Sequence, residues 1–370
     1  MSGLRVVVFG PAYLDRVVRV DRPMLDDPSG PPLDQSVDGE WKFAGGQRLE
    51  LVDPGGLVIA IMPPIGWTGP LGEIRLGKCL RSGMSGRREL RAIAWQDDLG
   101  GMGAGYAAAL GGSLHSALGS ESDATSRAIA GLLARYGVDH RPVLVADRPA
   151  DWTLLVTSGE FGDKLPVGFR GCHAAIDLST LMPDTATPCD LQVVAGLPNR
   201  LARPLLAASC ARTRFLAPAM RNMTDREVPL AEFASSVDIL SCNRSEWSAL
   251  EGHQRVGDRI PIVAVTDGPR GIDLTFTTPA GERTSRHVPA FPRAHPPRDT
   301  NRAGEAFATT LVATLVDNGW DGRMRVIEPA HLESAARRAA AAAALVLDRT
   351  GFGFPSPRAI DAALETGIVA

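Results

Sequence analysis

The chain has 370 residues, 44% hydrophobic and 22% charged, with a formal net charge of −3. At about 150 residues per domain it holds two domains or one large α/β domain with insertions, and it is long enough to build a core without disulfides or metal. The charge balance and the lack of a long basic run argue against nucleic-acid and anionic-membrane partners, and no segment approaches the ~18–20 apolar residues of a membrane span.

The first apolar run, residues 5–9 around Val6-Val7-Val8-Phe9, is too short for a signal-peptide core and is predicted to be a buried strand. From about 23 to 98 Pro and Gly become frequent. Residues 49–52 and 57–61 flank Asp53-Pro54-Gly55-Gly56 and read as a hairpin. This stretch is expected to be a β-rich insertion or extended lid, set into a main domain made of residues 1–22 and 99–370. The run from Gly72 to Cys79 falls one residue short of a phosphate-binding loop and has Cys79 where Ser or Thr should hold Mg²⁺, so a solvated loop is expected there. The cluster Gly100-Gly101-Met102-Gly103-Ala104-Gly105 follows Trp95-Gln96-Asp97-Asp98 where a dinucleotide site would want a buried strand, which argues against that reading.

A helix is predicted over 126–136, with Ile129, Leu132, Leu133 and Tyr136 on one face and Gly137 as its stop. Apolar runs at 191–195, 214–217, 237–240 and 261–266 alternate with helical segments, the βαβ pattern of a mostly parallel sheet. The Ala-rich segment 333–347, with Pro329 before it, is a further helix that packs closely. The five cysteines (Cys79, Cys172, Cys189, Cys210, Cys242) and seven histidines are scattered, with no C-x-x-C pair and no zinc spacing. Reduced thiols in a cytoplasmic protein are expected.

The segment Asp299-Thr300-Asn301-Arg302-Ala303-Gly304-Glu305 runs from a Pro-rich loop into a helix over 306–316, where Phe307, Leu311 and Leu315 recur at helical spacing. Thr300 or Asn301 is the expected N-cap. The N–H groups of Ala303, Gly304 and Glu305 would then face outward, and with the helix dipole they make an anion site. A carboxylate in that turn also serves simply as dipole complement, so catalysis and capping both stay open for Glu305 on these grounds.

Taken in order, the segments resemble the ribokinase-like carbohydrate kinases, the phosphofructokinase-B group. The resemblance rests on Gly10-Pro11-Ala12-Tyr13-Leu14-Asp15, Gly100-Gly101, the helix ending in Gly137-Val138-Asp139, and the strand running to Gly196. It continues through Asp238-Ile239-Leu240-Ser241-Cys242-Asn243-Arg244-Ser245-Glu246, Thr266-Asp267-Gly268-Pro269-Arg270-Gly271, and Asp299 to Glu305. It implies an α/β fold: a three-layer α/β/α sandwich with a mostly parallel central sheet, and a small β lid formed near 13–22 and 152–169. It implies transfer of the ATP γ-phosphoryl group to a hydroxyl of a sugar or nucleoside, with Mg²⁺. Glu305 would be the general base, and Arg302, Ala303 and Gly304 would line the anion hole. Asp15, Gly100, Gly101 and Gly105 would face the acceptor. Asn243, Thr266, Gly268 and Gly271 would bind nucleotide, Glu246 would hold Mg²⁺ through water, and Asp299 would help place a monovalent cation such as K⁺. Related lids pair between subunits, so a homodimer is one expectation; the long insertion could equally cap a monomer.

The chain departs from the family pattern at several site positions. Glu305 replaces Asp, Arg302 the first signature glycine, Gly105 a sugar-binding Asn, and Ala217-Pro218-Ala219 lacks the Asp of a D-P-N step. The guanidinium of Arg302 could bind phosphate, or its bulk could close the anion hole. Two functional classes follow: a carbohydrate kinase with shifted geometry, or a catalytically silent homologue that binds nucleotide or sugar as a sensor or partner protein.

Overall fold

The computed structural model describes residues 3–21, 35–44, 49–52, 58–62, 76–81, 87–158, 164–169, 171–181, 188–349 and 351–369. The chain opens with β1 (Val6–Phe9), β2 (Tyr13–Val20), β3 (Gln35–Ala44), β4 (Leu49–Val52), β5 (Val58–Met62), β6 (Leu76–Arg81) and β7 (Arg87–Gly100), which leads into α1 (Met102–Leu110). Next come β8 (Ser113–Leu118), α2 (Ala124–Arg135), β9 (Asp139–Leu144), β10 (Trp152–Thr157) and β11 (Lys164–Phe169). The chain continues through β12 (Leu191–Ala195), α3 (Asn199–Ala207), β13 (Thr213–Ala217), α4 (Met220–Met223), β14 (Ile239–Asn243), α5 (Arg244–Ala249), α6 (His253–Gly257) and β15 (Ile262–Thr266). A hairpin of β16 (Ile272–Thr277) and β17 (Arg283–Val288) precedes α7 (Ala303–Asp317), α8 (Pro329–Val346) and α9 (Pro357–Thr366).

One sheet has nine strands in the order β17-β16-β15-β14-β13-β12-β1-β8-β9. From β15 to β9 every neighbour is parallel, and the β16–β17 hairpin completes the other edge antiparallel. Both faces are covered, which is why these strands read as unbroken apolar runs. Val6, Val8, Val193, Phe215, Ile239 and Ala264 pack on one side with residues of α1, α2, α7, α8 and α9. Val7, Phe9, Val194, Leu216, Leu240 and Val263 pack on the other with residues of α3 and α6. This is the α/β/α sandwich. The alanines of α8, among them Ala335, Ala336, Ala339 and Ala342, are buried, so the small side chains let the helix lie close to its neighbours. Strand β14 starts two residues later than the apolar run at 237–240 suggests. Val237 ends a turn, and Asp238 is held by Arg214, with Nη2–Oδ1 at 2.8 Å and Nε–Oδ2 at 3.0 Å.

The second sheet is a closed eight-stranded barrel in the order β10-β11-β6-β3-β4-β5-β7-β2. Val18, Val20, Leu90, Ala92, Leu154 and Val156 are buried in one cluster, while the alternate residues Asp15, Val17 and Arg19 face the other way. Three local expectations are revised here. Residues 95–98 lie within β7, which pairs antiparallel with β2 and crosses the boundary expected between 98 and 99. A strand therefore does run into the glycine cluster; its polar residues are tolerated because a barrel strand needs only one apolar face. Residues 76–79 of the supposed solvated loop are strand β6, and 72–75 lie outside the described residues. The hairpin pairs as expected, Leu49↔Ile61 to Val52↔Val58, with its turn outside the described residues. Among the described residues no helix is long and apolar enough to cross a membrane.

Candidate active site

In a parallel sheet, ligands collect at the carboxyl ends of the strands where strand order reverses. Here that point lies between β1 and β12, and the chain leaving β7 is brought directly over it. Gly101 has φ +90°, and a Cβ there would stand 2.4 Å from the Pro11 carbonyl oxygen, so only glycine makes this turn from β7 into α1. The preceding Gly100 is overlaid by a carboxylate: its Cβ would meet Asp15 Cγ at 2.2 Å.

The loop before α7 separates two clefts. Thr300, Ala303 and Gly304 line one of about 630 Å³, together with Thr266, Gly268 and Gly271 at the end of β15. Its remaining walls are largely apolar and include Ile272, Phe291, Phe307 and Leu347. Asp299, Asn301 and Arg302 line the other, facing Asp15 on β2, Asp98 on β7 and Thr157 on β10. Thus Thr266, Gly268 and Gly271, three of the residues expected around nucleotide, line one cleft, and Asp15, one of those expected around the acceptor, lines the other, with the loop that opens α7 contributing to both. A Cβ at Gly304 or Gly268 would meet nothing within 4 Å, so both backbones border open space.

Glu305 follows on the first turn of α7. A Cβ on Gly105 would stand 2.3 Å from Glu305 Oε2 and 2.9 Å from Cδ. Gly105 is therefore the surface on which the Glu305 carboxylate rests. The two departures from the family pattern are complementary: the missing side chain at 105 makes room for the extra methylene at 305. Buried Tyr106, which packs against Phe215, lies near both Glu305 and Glu246. Burial and then Glu305 push its phenol well above the usual range, so it stays neutral.

The N-cap of α7 is Arg302, not Thr300 or Asn301. Arg302 is left-handed, with φ +65°. Its guanidinium donates to the Leu99 carbonyl and stacks on Phe352, 4.7 Å from the ring centroid. It thus turns toward the barrel strand and the C-terminal loop. Asp299 accepts from Asn301 N–H at 2.8 Å and from Asn301 Nδ2 at 3.2 Å. Each oxygen thus accepts one hydrogen bond within the loop and keeps a further lone pair. Asn243 and Glu246 line neither cleft. They form a reciprocal cap on α5, with Asn243 Oδ1 accepting from Glu246 N–H at 2.8 Å and Glu246 Oε2 accepting from Asn243 N–H at 2.9 Å.

Sequence patterns did not single out Asp98. It is buried and accepts from Leu99 N–H, Tyr136 O–H and Phe352 N–H at 2.8, 3.0 and 2.6 Å, tying the barrel to α2 and the C-terminal loop. Its alternation with Gln96 along β7 was the available signal. Away from the clefts, one group of metal-ligand types converges among the described residues: Asp151, Cys172 and His173, all buried. Ala117 N–H donates to His173 Nε2 at 3.4 Å, and His173 Nδ1 stands 3.5 Å from Asp151 Oδ1. Burial, then Asp151, pushes the Cys172 thiol up to about 12.

The fold has solved counterparts. Ribokinase from Giardia lamblia superposes with a TM-score of 0.66 at 16% identity, covering 98% of this chain and 100% of that one. Arabidopsis thaliana ribokinase complexed with ribose and ATP gives 0.60 at 19%, covering 98% and 99%. Burkholderia thailandensis nucleoside kinase in complex with inosine gives 0.61 at 14%, covering 98% of each chain. No curated protein matches by sequence. The family model "pfkB family carbohydrate kinase" matches residues 84–359, which take in the glycine cluster, both cleft-lining loops and α7. On that match, and with the sandwich and its two adjoining clefts in place, the chain belongs to the pfkB family of carbohydrate kinases.

Proposed function

We propose that the protein transfers the γ-phosphoryl group of ATP to a hydroxyl of a sugar or sugar-like small molecule, with Glu305 as general base. The observation that carries this reading is the position of the Glu305 carboxylate. It lies on the first turn of α7, held against Gly105, directly after the residues Arg302, Ala303 and Gly304 that line the two clefts. The apolar cleft suits a purine nucleoside, and the N-terminal N–H groups of α7 suit the phosphates that would extend from it. Asp15 orients acceptor hydroxyls above Gly100. Glu305 takes the hydroxyl proton as the oxygen bonds to phosphorus and the bond to the ADP oxygen breaks. The N–H groups of Ala303, Gly304 and Glu305 stabilise the three equatorial oxygens over which the charge of the transferring group is spread in the transition state.

Glu246 lines neither cleft and one of its oxygens caps α5, so it would hold hydrated Mg²⁺ only through water, as suits an ion that keeps most of its waters. Mg²⁺ so held would supply charge neutralisation. The test is ADP release from Mg-ATP across a panel of sugars and nucleosides, with wild type beside Glu305→Gln. Turnover with one acceptor, reduced about 10²–10⁴-fold in the Gln variant, is expected. No turnover with any acceptor, despite measurable nucleotide binding, would leave a silent binder in place of an enzyme.

A further inference from the structure

We infer that Asp151, Cys172 and His173 form a binding site for one Zn²⁺ ion, which ties the barrel to the sandwich. The inference is independent of the phosphotransfer reading. All three side chains are buried, and one ligand atom from each lies within 4.8 Å of the others. Cys172 Sγ stands 3.6 Å from Asp151 Oδ1 and 3.6 Å from His173 Nδ1, and that nitrogen stands 3.5 Å from Oδ1. Bonds to Zn²⁺ of about 2.3 Å for sulfur and about 2.0–2.2 Å for nitrogen and oxygen, at tetrahedral angles, put co-ligands roughly 3.3–3.7 Å apart. All three edges of the triangle fall in that range. The edge from nitrogen to oxygen is also longer than the ~2.7–3.2 Å of an ordinary hydrogen bond.

The donor set names the ion. Mg²⁺ and Ca²⁺ take oxygen ligands and a carboxylate does not suit Cu⁺, whereas thiolate, imidazole and carboxylate together suit Zn²⁺. Water takes the fourth position. The donors are held by main-chain bonds: Gly171 and His173 N–H donate to Asp151 Oδ1 at 2.8 and 3.3 Å, and Cys172 N–H donates to the Pro149 carbonyl at 2.9 Å. A Cβ at Gly171 would stand 2.2 Å from the Pro149 oxygen, so the turn carrying Cys172 and His173 is pressed onto the segment carrying Asp151. Asp151 leads into β10, and the ring of Tyr13, at the start of β2, meets His173 edge-to-face with centroids 5.4 Å apart. Ala117, which reaches His173 from the other side, belongs to β8. The site thus joins two barrel strands to a strand of the sandwich. On binding, the Cys172 S–H bond breaks, its electron pair goes to the metal and its proton to solvent. The metal takes His173 Nδ1, the ring proton sits on Nε2, and the long bond from Ala117 N–H is given up.

The full chain is stripped with a chelator and titrated with CoCl₂ and with ZnCl₂. One equivalent of Co²⁺ is expected to bring up a thiolate-to-cobalt charge-transfer band and the visible bands of four-coordinate cobalt, and Zn²⁺ to bleach both. The melting temperature should rise with Zn²⁺ and fall again on chelation. Cys172→Ser should remove the charge-transfer band. Asp151→Asn should weaken Zn²⁺ binding by at least about 100-fold, the upper end of the loss when only an outer-shell partner is removed. Cys210→Ser, at an exposed thiol, should change neither. Absence of the charge-transfer band in the stripped wild type would overturn the inference and leave a hydrogen-bonded cluster. A band that survives in Cys172→Ser, or that vanishes in Cys210→Ser, would overturn it too. The wild-type titration decides alone, so a variant that fails to fold does not shelter the inference.

Discussion

Replacing Gly105 by Ala isolates the placement of the proposed base from everything else in the site. The added methyl would stand 2.3 Å from Glu305 Oε2, and real Cβ contacts essentially never fall below 3.0 Å. The obstacle is the end of a flexible side chain, so the backbone stays put and the carboxylate moves out by roughly 1 Å. A shift of that size costs about a hundredfold in rate when the displaced group acts in the reacting geometry. Stability should move the other way, because Gly105 lies inside α1 without a positive φ and Ala is favoured over Gly in a helix by about 0.8–1 kcal/mol. The expected result is kcat down about 100-fold, with a melting temperature equal to or above that of wild type. Kinetics of ADP release and a thermal melt on the same preparation check both. Combining Gly105→Ala with Glu305→Asp, which shortens the carboxylate by the methylene that now clashes, should recover part of the loss and give a non-additive pair. A kcat within threefold of wild type in Gly105→Ala would refute the argument that this carboxylate, held here, is the base.

Two further outcomes concern stability. The left-handed backbone of Arg302 costs about 1–2 kcal/mol, but its guanidinium makes a charged hydrogen bond worth about 1.5–3 kcal/mol and a ring contact worth about 0.5–1 kcal/mol. Arg302→Gly should therefore lower the melting temperature despite relieving the strain, and a rise would show that the contact to Leu99 is idle. His140 accepts or donates a 2.7 Å hydrogen bond with Ser116, and burial, then the neighbouring His115, holds it down to about 4. Because the unfolded ring titrates near 6.5 while the folded ring stays neutral, its contribution is intact above pH 6.5 and is lost as pH falls toward 4. Urea unfolding should show a loss approaching about 3 kcal/mol across that interval. The same slope in His140→Asn would assign it to other groups.

The parallel strands were legible because a strand covered on both faces must be apolar throughout, as in Val6-Val7-Val8-Phe9 and in β12. Helices α7 and α8 were legible from the spacing of Phe307, Leu311 and Leu315 and from a run of alanines. Strands β7 and β8 were not. In β8, Ser113-Leu114-His115-Ser116-Ala117-Leu118 carries His115 and Ser116 into the interior, and Ser116 is bonded to a residue of the adjacent strand. Their burial depends on partners that local pattern cannot reveal.

The same limit governs the site. The sequence alone shows that a carboxylate opens α7, that glycine clusters stand at 100–105 and after β15, and that the order of these segments is that of a sugar-kinase family. Spacing along a chain decides which backbone conformations are cheap, and these turns are local. It takes the folded chain to lay Gly105 under Glu305 and to turn Arg302 onto Leu99 and Phe352. Each of those is a contact between residues far apart in sequence, set by how the barrel closes over the sandwich, and a side chain's direction follows from what it packs against.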